Sequence, residues 1–304
     1  MTSPCFLGRS MAIVVIGIFA WSCEGAATTE VDAALDPSDA GSQPSIDAAR
    51  PPPFVHPTGM TAGCGTTTDA QGVVDRTLTV RGVERRYRLV VPEGYDASVP
   101  HALVFAFHGL GDSAENFQAA LRFEELAGGE AILVYPHGVH PTLGANGWDL
   151  SADGADVELF DTIRAQLEGE LCIDRAREHA LGFSYGAFMT SSLGCHRGDV
   201  IRAIGPMSGG PPRGGRCAGQ VAAFIVHGAA DDLVDYDLLG VRTREYWRGR
   251  DGCSETGATD ANGCVAFEGC DEGYPVVFCT HPGAHTVPSW APGAIWSFFE
   301  TLGD

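Results

Sequence analysis

Gly182-Phe183-Ser184-Tyr185-Gly186 follows an apolar run and opens a stretch compatible with a helix. Glycines flanking a serine at this spacing suit a sharp strand-to-helix turn that pushes the hydroxyl outward, because side chains on them would clash where the backbone doubles back. The pattern alone is weak in a chain with 40 glycines, and the flanking strand and helix make it informative. A serine hydroxyl is a poor nucleophile until a base takes its proton, so a histidine oriented by a carboxylate is required. In the chain order serine, acid, histidine, the candidates are Asp231, in His227-Gly228-Ala229-Ala230-Asp231, and His285, in Gly283-Ala284-His285-Thr286. Asp232 competes as the acid, and His281 competes with His285. Two histidines four residues apart would also suit zinc on a helical face, but Pro282 and Gly283 between them argue against that helix. His137 and His140, flanking a glycine, read as loop residues. No metal or organic cofactor is implied.

Acyl transfer through a serine passes through a tetrahedral oxyanion that needs backbone amides aimed at it. One is assigned to Tyr185, next after the nucleophile. The second is assigned to Leu110, in Phe107-His108-Gly109-Leu110-Gly111-Asp112, where His108 is expected to brace the loop rather than titrate. A general-base histidine further implies activity that rises with pH as His285 loses its proton.

These groups lie far apart in sequence, so a scaffold must bring their loops to one place. Residues 73–80 and 83–91 read as an antiparallel hairpin around Arg81-Gly82. After them come short, near-continuous apolar runs at 103–107, 132–135, 179–183, 203–207, 223–226 and 276–279, the mark of strands buried on both faces. Val157, Phe160, Ile163 and Leu167 recur at helical spacing, as do Ala187, Thr190 and Leu193. The fold class implied is a three-layer α/β sandwich with a mostly parallel central sheet, its ligand site beyond the carboxyl ends of the strands. Each candidate triad residue then falls in a loop at such an end.

A net charge of −20, from 39 acidic against 19 basic residues, excludes a polyanion such as nucleic acid as the expected partner. The sequence has no lysine, which removes Schiff-base chemistry and phosphate loops that depend on one. Residues 1–23 resemble a secretory signal, with Arg9 before an apolar run too short to span a membrane comfortably. Ala20-Trp21-Ser22-Cys23 is a degenerate lipoprotein cleavage site, so the alternatives are a lipid on Cys23, which would be the one link to a membrane, or simple cleavage nearby, for example after Ala27. Residues 24–62, rich in Ala, Asp, Ser and Pro, read as a disordered acidic linker, and 63–304 as the catalytic domain. Without Cys5 and Cys23 an even set of cysteines remains: Cys64, Cys172, Cys195, Cys217, Cys253, Cys264, Cys270 and Cys279. Disulfides in an exported protein are expected, with connectivity left open.

His108-Gly109, Tyr135-Pro136, Gly147-Trp148-Asp149, Cys172-Ile173-Asp174, the turn at Ser184, Pro206-Met207-Ser208-Gly209-Gly210, His227-Gly228 to Asp231, Gly269-Cys270 and His285-Thr286-Val287-Pro288 form an ordered set. Together they resemble secreted feruloyl esterases, of the types grouped with polyhydroxybutyrate depolymerases, on the α/β-hydrolase fold. The resemblance implies a serine carboxylic-ester hydrolase acting on hydroxycinnamate esters of cell-wall polysaccharide, with Ser184, Asp231 and His285 as its triad. Trp148 would offer a flat wall to a phenolic acyl group, the alternative being a buried structural tryptophan. Ala187, where glycine is usual, and Asp235, where proline is usual, depart from the pattern. Other readings are a hydroxyalkanoate depolymerase, an acetylxylan-type esterase, or a noncatalytic surface lipoprotein that kept the fold.

Overall fold

A computed structural model describes residues 52–213 and 216–303. The expected signal segment, Cys23 and the linker as far as residue 51 lie outside the described residues. The hairpin forms as β1 (Gly72–Val80) and β2 (Val83–Val91), fully paired and antiparallel. There follow β3 (His101–Phe107), α1 (Ala114–Leu121), α2 (Phe123–Leu126) and β4 (Ala131–Pro136). A small hairpin, β5 (His140–Thr142) with β6 (Ala145–Gly147), stands apart from the main sheet. Next come α3 (Ala155–Glu170), β7 (Ile173–Phe183), α4 (Tyr185–His196), β8 (Ala203–Met207) and β9 (Ala222–Gly228). The chain ends with α5 (Val241–Arg250), β10 (Gly257–Thr259), β11 (Cys264–Phe267), β12 (Val276–His281) and α6 (Ala291–Glu300).

The sheet has ten strands in the order β1-β2-β4-β3-β7-β8-β9-β12-β11-β10. Its centre, from β4 to β12, is parallel throughout, and the strands at both margins are antiparallel. All six apolar runs named above are these central strands. In β3 every residue is buried, and alternate side chains serve opposite faces: Leu103, Phe105 and Phe107 join one core, Ala102, Val104 and Ala106 the other. The first core is closed by α3 (Val157, Phe160, Ile163, Leu167), α4 (Met189, Leu193) and α5 (Trp247), and the second by α1, α2 and α6 (Phe117, Phe123, Ile295, Phe299). This is the three-layer sandwich. Strands β10 and β11 and helices α1, α2, α5 and α6, none longer than ten residues, go beyond the elements expected from the sequence.

The linker boundary is corrected. Residues 54–62 lie against the folded unit: the Thr61 amide donates to Ile173 O at 3.0 Å, its hydroxyl to Leu171 O at 2.7 Å, and the Gly63 amide to Glu168 O at 2.9 Å. Tyr274 donates its hydroxyl hydrogen to Phe54 O, and His56 Nε2 lies 2.8 Å from Gln220 O. A proline-rich composition signals an extended chain, but an extended chain can still satisfy its polar groups on a neighbouring surface.

All eight cysteines pair, as Cys64–Cys172, Cys195–Cys217, Cys253–Cys270 and Cys264–Cys279. The last joins directly opposed residues of β11 and β12. Cys64–Cys172 spans 108 residues and pins the amino-terminal segment to the start of β7. By the loop-closure argument, replacing both of these cysteines with serine lowers the unfolding free energy by roughly 2–5 kcal/mol. Urea denaturation checks this, and an unchanged midpoint would mean that the hydrogen bonds of Thr61 and Gly63 suffice.

Candidate active site

Ser184 sits between the end of β7 and the first residue of α4 with φ 55° and ψ −122°, a backbone conformation that a residue with a Cβ rarely adopts. The surroundings impose it. A Cβ on Gly182 would strike the Gly186 carbonyl, and one on Gly186 would strike the carbonyls of Phe107 and His108. The Ser184 amide is held by Met207 O at 3.0 Å. Ala187 is accommodated because the residue facing it is Gly209: a Cβ there would sit 2.5 Å from the Ala187 methyl. The other departure, Asp235, caps a π-helical turn at Tyr236–Gly240 by accepting from the Leu238 amide at 2.8 Å.

Loops after β9 and β12 bring the other two groups to this hydroxyl. His285 Nε2 lies 2.8 Å from Ser184 Oγ, and His285 Nδ1 lies 2.8 Å from Asp231 Oδ2. Asp231 Oδ1 accepts from the amides of Val234 at 2.9 Å and Leu233 at 3.2 Å. Of the two candidate acids, Asp231 is buried and meets His285, while Asp232 is exposed. It is His285, not His281, that bonds to the serine; buried His281 accepts from the Gly283 amide at 3.2 Å through Nδ1. His137 lies in the loop after β4, near Glu115, while His140, expected in a loop, opens β5 and faces Thr142.

Burial alone would raise the Asp231 carboxyl, but the hydrogen bonds from His285 and Val234 and the nearby histidines outweigh it and hold it below the usual carboxylate range. His227, whose role no sequence signal disclosed, supports this arrangement from beneath. Its Nε2 faces the Val234 carbonyl at 2.8 Å, which can only accept, so Nε2 carries the hydrogen; it also stands 3.5 Å from Asp231 Oδ2. Burial lowers the His227 pKa and favours the neutral ring.

The loop after β3, expected to supply an oxyanion donor, lies close over the serine: a Cβ on Gly109 would be 3.5 Å from Ser184 Cβ. Tyr185 is the first residue of α4, where an amide has no intrahelical partner and the helix dipole favours negative charge. Among the described residues the Leu110 amide donates to no backbone carbonyl outside this loop or within it. His108 is buried and accepts from the Gly138 amide through Nε2 at 3.0 Å, so its hydrogen is on Nδ1, which donates to Gly109 O at 2.8 Å. Burial lowers its pKa, in keeping with a neutral brace.

The substrate-lining position expected for Trp148 is corrected. Its side chain is wholly buried, edge-on to Phe107 with ring centroids 5.2 Å apart, and its Nε1 donates to His108 O at 2.9 Å. It supports the loop after β3 and presents no face to a ligand. Behind it, Asp156 accepts from the Asp149 amide at 2.6 Å and pairs with buried Arg85, which also donates to His137 O at 3.0 Å.

Two outcomes follow from this geometry. Trp148→Phe keeps a ring in place but removes the donor to His108; it lowers stability by about 1 kcal/mol and lowers kcat more than it raises KM in steady-state assays. For Asp231, a folded pKa below the unfolded one means that the unfolded chain takes up the proton first as pH falls. Its contribution to stability is therefore complete above the usual carboxylate range and lost as pH drops through the folded value. In Asp231→Asn the difference in urea midpoint between neutral and acid pH is smaller than in the parent.

No protein-family model matches the chain. A probable feruloyl esterase C of Aspergillus niger is 34% identical over 236 residues, covering 71% of this chain and 83% of the relative. Feruloyl esterase C of Emericella nidulans is 35% identical with the same coverage, and feruloyl esterase D of Neurospora crassa is 30% identical over 287 residues, 84% of this chain and 92% of the relative. Among solved structures, an acetyl xylan esterase from Aspergillus awamori matches with a TM-score of 0.58 at 17% identity, over 76% of this chain and 99% of the other. A ferulic acid esterase of Anaeromyces mucronatus matches with a TM-score of 0.53 at 20% identity, over 82% and 98%. The structural likeness establishes the α/β-hydrolase fold, the sequence likeness establishes kinship, and the chain belongs to the feruloyl esterase family of carboxylic-ester hydrolases.

Proposed function

We propose that this protein hydrolyses esters between hydroxycinnamic acids and cell-wall sugars, with Ser184 as nucleophile, His285 as general base and acid, and Asp231 as the group that orients the imidazole. The observation that carries the reading is the continuous chain from Asp231 Oδ2 through His285 to Ser184 Oγ, both links 2.8 Å long. The names of the relatives, feruloyl esterases C and D, support the choice of acyl group.

In the first step Ser184 Oγ attacks the ester carbonyl carbon while its proton passes to His285 Nε2. The carbonyl oxygen becomes an oxyanion, for which the amides of Tyr185 and Leu110 are the proposed donors. Collapse of the intermediate breaks the bond to the alcohol oxygen, and His285 returns the proton to that oxygen. Water then attacks the acyl-serine with His285 again as base, releasing the acid and the free hydroxyl. Asp231 stays ionised throughout and steadies the imidazolium between the two proton transfers. Four disulfides and the signal-like amino terminus favour an oxidising compartment outside the cytoplasm as the place of action.

The test is hydrolysis of methyl ferulate beside a short hydroxybutyrate ester and an acetyl ester, by the full chain with its disulfides formed. Ferulate is the preferred substrate, and Ser184→Ala lowers kcat by roughly 10³-fold or more. Preference for hydroxybutyrate would move the protein to the depolymerase reading, and undiminished turnover in the variant would remove Ser184 from the mechanism.

A further inference from the structure

A groove of about 600 Å³ lies beside the triad, between the α1–α2 turn and the loop that follows His285. Its lining includes Phe183, the residue before the nucleophile, whose ring is tilted against that of His285 with centroids 4.8 Å apart. Val287 and Pro288, just beyond His285, form part of the same wall, and Asp112, next to Gly111 of the oxyanion loop, also borders it. The facing wall carries Arg122 and Glu125, joined by an ion pair of 2.6 Å, and the exposed Leu126.

We propose that this groove seats the saccharide half of the ester, an inference that rests on the hydroxycinnamate-sugar reading above. The direction of the reaction assigns the half. His285 must hand its proton to the departing alcohol oxygen, so that oxygen stands within reach of Nε2 and the alcohol leaves on the histidine side. The groove adjoins the imidazole: Phe183, in its lining, lies against the ring, and Val287, also in its lining, follows His285 by two residues. Its chemistry suits a sugar as well. The CH faces of a pyranose or furanose ring pack on Phe183, Val287 and Pro288, while Asp112, Glu125 and Arg122 at the rim supply acceptors and donors for hydroxyls. The α1–α2 wall is exposed at Ala120, Arg122 and Glu125, which lets a saccharide continue as a polymer, whereas an acid of fixed size needs no such outlet.

The experiment compares alcohols while holding the acyl group constant: a feruloylated arabinoxylo-oligosaccharide against methyl ferulate, and an acetylated xylo-oligosaccharide against methyl acetate. Ala120→Trp, at an exposed position of α1, and Leu126→Trp, at the exposed end of α2, each narrow the groove without entering either core. In both variants the ratio of kcat/KM for the saccharide ester to that for the methyl ester falls about tenfold within each acyl pair, mainly through KM. An unchanged ratio, or a loss that follows the acyl group and is equal for both alcohols, overturns the proposal. If the parent enzyme ignores both ferulate esters yet cleaves the acetyl pair, the hydroxycinnamate reading fails while the acetyl ratio still reads the groove. A parent that cleaves only the methyl esters overturns the groove assignment outright.

Discussion

The site depends on how closely the first turn of α4 passes beneath the end of β3. At Gly186 the two backbones meet with no space for a side-chain carbon, and Gly182 is crowded by the same turn. The chain between them is left with a left-handed φ at Ser184, a conformation that costs about 1–3 kcal/mol. Two well-filled cores and the bond from the Ser184 amide to Met207 O maintain it. One packing constraint thereby aims the hydroxyl outward, leaves the Tyr185 amide at a helix start, and sets Gly109 of the loop after β3 against the serine. A methyl at 186 would disturb all three together.

Around that contact, rigidity comes from polar groups with few alternatives. His108, Gly138 and Trp148 tie the loops after β3, β4 and β6 to one another, and the buried Arg85–Asp156 pair holds two of them, those after β4 and β6. A buried ion pair adds little net stability because desolvation offsets the attraction. Here its arms reach His137 O and the Asp149 amide, so its effect is on loop position. His227 and Val234 do the same for Asp231: one amide holds the carboxylate and the adjoining carbonyl is held in turn.

The amino-terminal segment joins the domain far from this machinery. Phe54 and His56 bond to Gln220 and Tyr274, which precede β9 and β12, while Asp231 and His285 follow those strands at their other ends. In parallel strands these are opposite edges of the sheet, so residues 54–56 lie at the edge away from Ser184, Asp231 and His285. The Cys264–Cys279 disulfide secures one margin of the sheet, where β11 and β10 are short and antiparallel.

The sequence by itself determined the features that rest on local periodicity and local sterics: the six central strands, helices α3 and α4, the glycine-flanked serine, and the order of serine, acid and histidine. Apolar runs buried on both faces and a turn that admits only glycine leave their mark in consecutive residues. Only the tertiary structure decided between Asp231 and Asp232, adjacent and chemically alike, because one faces His285 from a buried loop and the other faces solvent. It likewise turned Trp148 from a wall of the pocket into a brace, drew residues 54–62 into the domain, and assigned His227 to Val234. Each of these depends on which distant segment occupies the neighbouring space, and a one-dimensional pattern carries no record of that until the chain has closed on itself.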